Sequence, residues 1–371
     1  MTGGAVGVIA NPVAGRDIRR VAARGGVSTT QDKRNRIARA VVGAVAAGAR
    51  RIVVMDEPFR IASAAVADLG LPAGVEVEIV DIAARLHPDD TRRAVVAMRE
   101  RGVGALVVLG GDGTSRCVAR TWPDVPLVAM STGTNNVFPS AAEATVVGAA
   151  AGLVAAGRVG LSEVARRAKL LRVHGAGESV PGAEGWADGA GEAQPTATGE
   201  AALVDVVHLV GDLVGNRMPF DPAMLRQIVL TRAMPTAIGV SSVGGLTCPC
   251  GADDDHGVLV RCGPGGRRVH APLAPGLYRP VPVLQAQPIA LGQVVEIVGP
   301  GVLAFDGDRE RRLGDGEVVA VRVTRQGPFV IDVAAAMRLA AARELFIDAH
   351  RPDGGLLVHD PIALAATRPA R

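Results

Sequence analysis

The run Gly110-Gly-Asp-Gly-Thr114 follows directly on the apolar stretch Ala105-Leu-Val-Val-Leu109. A short apolar run bounded by glycine reads as a buried strand, and glycine lets backbone approach a bulky anion closely. Gly110, Gly111 and Gly113 are therefore phosphate-binding candidates. The residues that follow are expected to open a helix, whose unpaired first amides favour a phosphate. Asp112 would stand among those amides, placed to orient a metal-bound water or to take a proton from a hydroxyl. Thr114 adds a hydroxyl donor for a phosphate oxygen. The plainer alternative is a tight strand-to-helix turn with Asp112 as its N-cap. All five residues together, after a buried strand, favour phosphate binding.

Two other loops have related chemistry. Ser131-Thr-Gly-Thr-Asn-Asn-Val-Phe138 follows the apolar run Pro126–Met130, and its Thr132, Gly133, Thr134, Asn135 and Asn136 could read a nucleotide or a ribose. Asn11 and Pro12, with Gly15 and Arg16, follow the run Ala5–Ala10. Each alone is an ordinary loop. Three polar, glycine-bearing loops ending three strands of one sheet are what a nucleotide cleft needs. The chain has no Walker loop, because it holds no Gly-Lys-Ser or Gly-Lys-Thr and its only lysines are Lys33 and Lys169. Phosphate charge would be met by backbone amides, by arginines such as Arg16 or Arg116, and by Mg²⁺.

Cys248, Cys250, His256 and Cys262 form a second constellation of metal-ligand types. Their spacing matches no zinc ribbon, and Asp253-Asp-Asp255 between them suits a solvated turn, so a zinc site and a plain turn both stand as readings. Asp306-Gly307 has the composition of a hairpin turn. Asp205, His208 and Asp212 lie near an expected strand, as structural or as cleft-lining groups.

The elements that would position these residues alternate along the first 140 residues. Expected strands at Ala5–Ala10, Arg51–Asp56, Val75–Ile82, Ala105–Leu109 and Pro126–Met130 are separated by helical patterns at Lys33–Ala49, Phe59–Leu69 and Asp89–Arg101. Such alternation implies a doubly wound parallel sheet with both faces covered, and ligands at the carboxyl ends of its strands. The apolar, Ala-rich stretch 146–159 reads as a packed helix. From Ala202 onward, short β-type runs follow closely: Val204–Val210, Ile238–Ser242, Gly257–Arg261, Val281–Leu284, Val294–Val298, Gly301–Phe305 and Glu317–Val323. They imply a β-rich second domain. The expected organisation is an α/β nucleotide-binding domain over 1–145 and a β-rich substrate domain over 146–327 with a flexible loop at 175–199. A returning C-terminal segment follows at 328–350, with a closing helix at Val333–Ile347, and then a tail over 351–371.

Composition narrows the function. Hydrophobic residues make up 48% of the chain and charged residues 21%, enough for real cores. Two of the 40 basic residues are lysines, leaving 38 arginines, and aromatics are 2%. With a net charge of +3 and no aromatics interleaved with the basic residues, a nucleic-acid partner is poorly supported. No apolar run of membrane-spanning length occurs, and four cysteines without a secretion signal give no disulfide framework. The expectation is a cytoplasmic protein acting on a small molecule, with no membrane partner and with homo-oligomerisation left open.

The Asn11-Pro12 loop, Gly110–Thr114 and Gly133-Thr-Asn-Asn136 resemble the NAD kinase and diacylglycerol kinase superfamily. Within it, Gly133-Thr-Asn-Asn-Val-Phe-Pro139 most resembles the ATP-NAD kinase-like branch called acetoin catabolism protein X. Val210-Gly-Asp212, Asp221-Pro-Ala223, Ile238-Gly-Val-Ser-Ser242 and Ala304-Phe-Asp-Gly-Asp308 also fit that branch. The resemblance implies an ATP-grasping α/β domain, a β-rich second domain with the substrate cleft between them, and a C-terminal segment returning to the first. It implies an ATP- and Mg²⁺-dependent kinase of NAD or a related alcohol, with Asp112 as the base that activates the accepting hydroxyl. Asp306-Gly307-Asp308 lies where lipid-kinase relatives carry an assisting acid, so Asp112 and Asp306 are both catalytic candidates. NAD kinases hold the adenosine of NAD with an Asn-Glu pair, and this sequence has no Asn-Glu dipeptide. Asn135 or Asn136 with Glu143 are the nearest substitutes. That departure keeps open a different acceptor, either another small alcohol, including an acetoin-related metabolite, or a lipid. It also keeps open a nucleotide-binding accessory protein without catalysis.

Overall fold

A computed structural model describes residues 4–14, 28–67, 69–87, 89–133, 135–175, 200–211 and 221–347. Gly15, Arg16, Thr134, Asp212, nearly all of the expected loop 175–199 and the tail lie outside them.

The first layer is the alternating α/β unit. Strands β1 (Ala5–Ala10), β2 (Arg51–Asp56), β3 (Glu76–Asp81), β4 (Ala105–Gly110) and β5 (Pro126–Ser131) pair in parallel in the order β3-β2-β1-β4-β5. Every residue of β1 and of β4 is buried, as the apolar runs require of central parallel strands. Helices α1 (Thr30–Ala46), α2 (Ile61–Ala67), α3 (Asp89–Glu100), α4 (Asp112–Thr121) and α5 (Ala144–Ala155) cover the faces. A reciprocal capping box of Thr29 and Asp32 starts α1. Gly43, Gly148 and Gly152 let α1 and α5 touch backbone to backbone: a Cβ on Gly148 would lie 1.8 Å from the Ala40 carbonyl oxygen. Because α5 packs on α1 and on this sheet, the first domain runs past residue 145.

The chain then passes through α6 (Leu161–Val164) and β6 (Ala165–Arg167) into a β-rich unit of two antiparallel sheets. One holds β7 (Leu170–Gly175), β8 (Glu200–Ala202), β13 (Val294–Val298) and β16 (Val318–Thr324) in the order β13-β16-β7-β8. The other holds β9 (Asp205–Leu209), β10 (Leu225–Leu230), β11 (His256–Ala274), β12 (Leu277–Ala290), β14 (Gly301–Phe305) and β15 (Asp308–Leu313). Its order is β12-β11-β10-β9-β14-β15. Leu171, Val173 and Val321 from the first sheet meet Val206, Val229 and Phe305 from the second in a shared core. β17 (Phe329–Ile331) returns to the parallel sheet beside β5, and β6 closes that edge. α8 (Val333–Ala342) then packs on α5, ending earlier than the expected Val333–Ile347.

One element differs in kind from its sequence reading. Ile238–Ser242, expected as a strand, leads into helix α7 (Val240–Gly245). Five residues, two of them serines and one a glycine, are too short to decide between strand and helix. Here Gly244 and Gly245 decide: Cβ atoms on them would lie 2.3 Å from Leu230 Cδ1 and 2.2 Å from the Met234 carbonyl carbon, so only a helix without side chains there can dock.

Candidate active site

Strand register brings the three loops level. Ala10 stands opposite Leu109, and Gly110 opposite Ser131, so the loops after β1, β4 and β5 leave the sheet side by side. The chain reverses its direction of travel across the sheet between β1 and β4, the point where open α/β sheets bind ligands.

Hydrogen bonds tie the loops together. Asn11 Nδ2 donates to Thr114 Oγ1 at 2.9 Å, while Asn11 Oδ1 accepts from the amides of Val13 and Ala14. Asn136 Nδ2 donates to Ser131 Oγ at 2.7 Å. The glycines of Gly110-Gly111 are needed for this interlock. A Cβ on Gly110 would lie 2.6 Å from Thr114 Cβ, and one on Gly111 would lie 3.0 Å from Asn136 Oδ1.

The run Gly110–Thr114 divides between three elements. Gly110 ends β4, Gly111 is the cap and contributes no side-chain bond, and Asp112, Gly113 and Thr114 already form the first turn of α4. Gly113 is thus a helix residue and not a turn glycine, which corrects the reading of the five residues as one glycine-rich turn. The Ser115 amide makes the first intrahelical bond, to the Gly111 carbonyl at 3.1 Å. The amides of Asp112, Gly113 and Thr114 therefore precede the ladder, as those of any helix start do. Gly113 is half-buried and brings no side chain to this end of the helix, so its candidacy for phosphate rests on its amide. Thr114 and Thr132 are buried, and Gly133, Asn135 and Asn136 are half-buried.

Asp112 does not cap its own helix. Its carboxylate reaches the Ser131–Phe138 loop and accepts the amides of Val137 and Phe138, the latter at 2.9 Å. Burial, then the charge of Asp306, pushes its pKa up to about 7, against those amide bonds and the charge of Arg232. A carboxylate poised near neutrality suits proton transfer at cellular pH.

Asp306 comes from the second domain. It occupies the β14–β15 turn with φ +49, followed by Gly307 at φ +89, the two left-handed residues of a tight hairpin turn. Its side chain has no exposure and accepts the amides of Leu203 at 2.8 Å, Val204 at 2.7 Å and Asp205 at 3.1 Å. Arg116 Nε on α4 lies 3.8 Å from it. Burial pushes its pKa up to about 6, with Arg116 and the amides opposing. In this position Asp306 is enclosed and staples the two domains, and its charge reaches Asp112 without its oxygens facing a cleft.

Sequence reasoning missed two residues. Lys33, fully buried on α1, donates to the carbonyls of Asn11 at 3.1 Å, Pro12 at 2.8 Å and Ala14 at 2.7 Å, fixing the first loop from beneath. Arg232, just after β10, donates to the carbonyls of Val137 and Phe138, both at 3.4 Å, and its guanidinium covers the Phe138 ring at 4.8 Å. The one signal was rarity: Lys33 is one of two lysines, although it sits in a polar helical stretch, while Arg232 is one arginine among many.

The cysteine constellation does not gather as four. Cys250 and His256 converge with Asp254, all ligand atoms within 4.8 Å of one another, while Cys248 and Cys262 stay outside this group. Lys169, 2% exposed, already puts its ammonium there, donating to Cys250 Sγ at 3.1 Å, the Gly251 carbonyl at 2.8 Å and the His256 carbonyl at 2.7 Å. Lys169 thus gives the Cys250 side of this group a cation of its own, while the Asp254 carboxylate accepts the Gly251 amide. Asp253, Asp254 and Asp255 are instead tethered by Arg325, through two backbone carbonyls and the Asp255 carboxylate. Glu143 caps α5 and pairs with Arg39 at 3.3 Å, so it is engaged away from Asn135 and Asn136.

A parallel α/β domain, a two-sheet β domain joined to it through Asp306, and a returning strand and helix define an NAD kinase-like fold. The ATP-NAD kinase N-terminal domain matches residues 6–159, and the acetoin catabolism protein X C-terminal domain matches residues 192–326. The chain is 34% identical over 359 residues to acetoin catabolism protein X of Cupriavidus necator, covering 94% of this chain and 95% of that protein. It belongs to the acetoin catabolism protein X family. Yeast NADH kinase, solved with NADH, superposes with a TM-score of 0.51 at 13% identity, over 94% of this chain and 89% of that one. A diacylglycerol kinase from Bacillus anthracis gives a TM-score of 0.44 at 12% identity, over 90% and 98%. Among the described residues, no helix is long and apolar enough to cross a membrane.

Proposed function

We propose that the protein is a cytoplasmic kinase that moves the γ-phosphoryl group of ATP to a hydroxyl of NAD or a related nucleotide-like molecule. The observation that carries this reading is Asp112: a carboxylate held near neutrality at the start of a helix, where three polar loops meet at the sheet's switch point. The donor set suits a nucleotide triphosphate. First-turn amides of α4, that of Gly113 among them, and the Thr114 hydroxyl would hold phosphate oxygens, with Asn11, Gly133, Asn135 and Asn136 around them. Bound Mg²⁺ would supply charge neutralisation on those phosphates. Asp112 accepts the proton of the attacking hydroxyl, and the amides of Val137 and Phe138 keep its oxygens oriented while it does so. Asp306 contributes by holding a negative charge near Asp112, which raises its affinity for that proton. With NAD as acceptor the product would be NADP.

The missing Asn-Glu pair favours a second reading, a kinase of another small alcohol with the same base. Turnover of ATP against NAD and a panel of alcohols separates the two. Asp112→Asn keeps an oxygen acceptor for the loop amides and loses the proton acceptor. Turnover should fall by about 100-fold or more, with the thermal unfolding midpoint at or above that of the parent. Parent-like turnover in this variant would remove Asp112 from the chemistry. ATP binding with no turnover on any acceptor would favour an accessory role.

A further inference from the structure

We propose that Arg232 is a positioning residue that holds Asp112 and the Ser131–Phe138 loop in working register across the domain boundary. This rests on the kinase reading above. Asp112 and Arg232 hold the same two residues, and the Val137–Phe138 peptide unit is gripped at both ends, its N–H by Asp112 and its carbonyl by Arg232. Asp112 takes the amide hydrogens of Val137 and Phe138, and the Arg232 guanidinium donates to the carbonyl oxygens of those two residues. A carboxylate and a guanidinium of different domains are thus bridged by one shared peptide unit. The guanidinium also lies over the Phe138 ring, 4.8 Å from its centroid, which adds a cation–π attraction to the grip.

The backbone of Arg232 is anchored on both flanks. Thr231 donates through its amide to the Val204 carbonyl and through its hydroxyl to the Leu203 carbonyl. Ala233 exchanges two backbone bonds with Cys250, and Ser241 Oγ donates to the Arg232 carbonyl at 2.8 Å. Leu203 and Val204 are the residues whose amides hold Asp306. One short segment therefore places both second-domain charges that act on Asp112. The charged and titratable groups around the pair are Asp112 and Arg116 on α4, Asp306 in the β14–β15 turn, and Asp253 and Cys250 in the loop before β11. Arg232 and Asp306 push Asp112 in opposite directions, Arg232 favouring its ionised form and Asp306 its neutral form. Both carbonyl bonds come from one nitrogen, so a lysine could supply the charge and a donor but not the flat guanidinium face over the Phe138 ring.

The test is the pH dependence of kcat/KM in the parent, Arg232→Met and Arg232→Lys. A base must be ionised to act, so the acid limb follows Asp112. Removing the positive charge in Arg232→Met should move that limb to higher pH by about one unit. Arg232→Lys should leave the limb in place and lower the plateau, since charge is kept and the guanidinium face over the loop is lost. An unmoved limb in Arg232→Met overturns the proposal. If the parent turns over no acceptor, the kinase reading has failed separately. The pH dependence of the thermal unfolding midpoint then tests Arg232 alone. The pH range in which the parent and Asp112→Asn diverge should lie higher when both carry Arg232→Met. An unmoved range overturns the proposal by this second route, and Arg232→Gln replaces methionine if that variant does not fold.

Discussion

Replacing Asp306 with alanine removes the carboxylate that accepts three buried amides and faces Arg116. Three donors left without partners cost about 1 kcal/mol each at the lower end of the usual range. Alanine at φ +49 adds about 1 kcal/mol of left-handed strain. Arg116, 7% exposed, loses one ionic contact, and at a separation of 3.8 Å we take about 2 kcal/mol for that, below the usual loss for a tight buried pair. Against this roughly 6 kcal/mol stands the burial of the carboxylate itself. A pKa raised to about 6 means the ionised group at pH 7 is held at a disadvantage of about 3 kcal/mol, which alanine relieves. The net loss is about 3 kcal/mol, a drop in unfolding midpoint of roughly 4 °C for a chain of 371 residues. Scanning calorimetry at pH 7 and pH 5 provides the assay. Near pH 5 the parent keeps its carboxyl protonated and avoids the ionisation cost, so the gap between parent and variant should widen. Asp306→Asn keeps the backbone preference and one acceptor oxygen, and should lose about half as much. A midpoint within ~1 °C of the parent at both pH values would refute the stabilising role assigned to Asp306.

Asp112 should also leave a mark on stability against pH. Its folded pKa of about 7 lies above the unfolded value near 4, so its contribution is full below about pH 4 and is lost as pH rises through 7. Buried His208, lowered by desolvation, works in the opposite direction over part of that range, so the readout is the difference between the parent and Asp112→Asn. Lys33→Met should lower stability by about 2–3 kcal/mol through three carbonyls deprived of an ammonium donor, measured by urea denaturation, and should weaken ATP binding measured by calorimetry. Gly110→Ala would force a Cβ to 2.6 Å from Thr114 Cβ, and should cost about 1–3 kcal/mol together with ATP affinity.

The α/β half was legible because its signals agree. β1 and β4 are unbroken apolar runs that end in glycine or asparagine, and central parallel strands demand that pattern. The second half was harder to read. β11 and β12 form one long hairpin that the sequence showed as two short fragments, because Gly263-Pro-Gly-Gly266, Pro272, Pro280 and Pro288 break the strand signal. β12 tolerates its prolines because it is the sheet's edge, where missing amide donors cost no ladder bonds. The three loops of the site were visible from their glycines and amides, although composition could not say that Gly113 belongs to the helix and Gly111 to its cap. Their partners were not visible: Arg116 was expected to meet phosphate and instead faces Asp306, nothing local distinguishes Arg232 from the other arginines, and the reach of Asp112 to Phe138 spans 26 positions. Asp306-Gly307 shows both halves of this: its turn could be read from two residues, while its grip on Leu203–Asp205 depends on a distant strand connection.

The two lysines give the protein an intrinsic reporter. Arginine serves at 38 of the 40 basic positions, and lysine remains where a compact ammonium fits among three acceptors, beneath the Asn11 loop and beside Cys250. Both are buried, so the folded chain offers no exposed lysine amine to an acylating reagent. Any lysine labelling then measures how often one of two defined places opens. Lys33 reports on the first loop of the site, and Lys169 on the joint where the second domain begins.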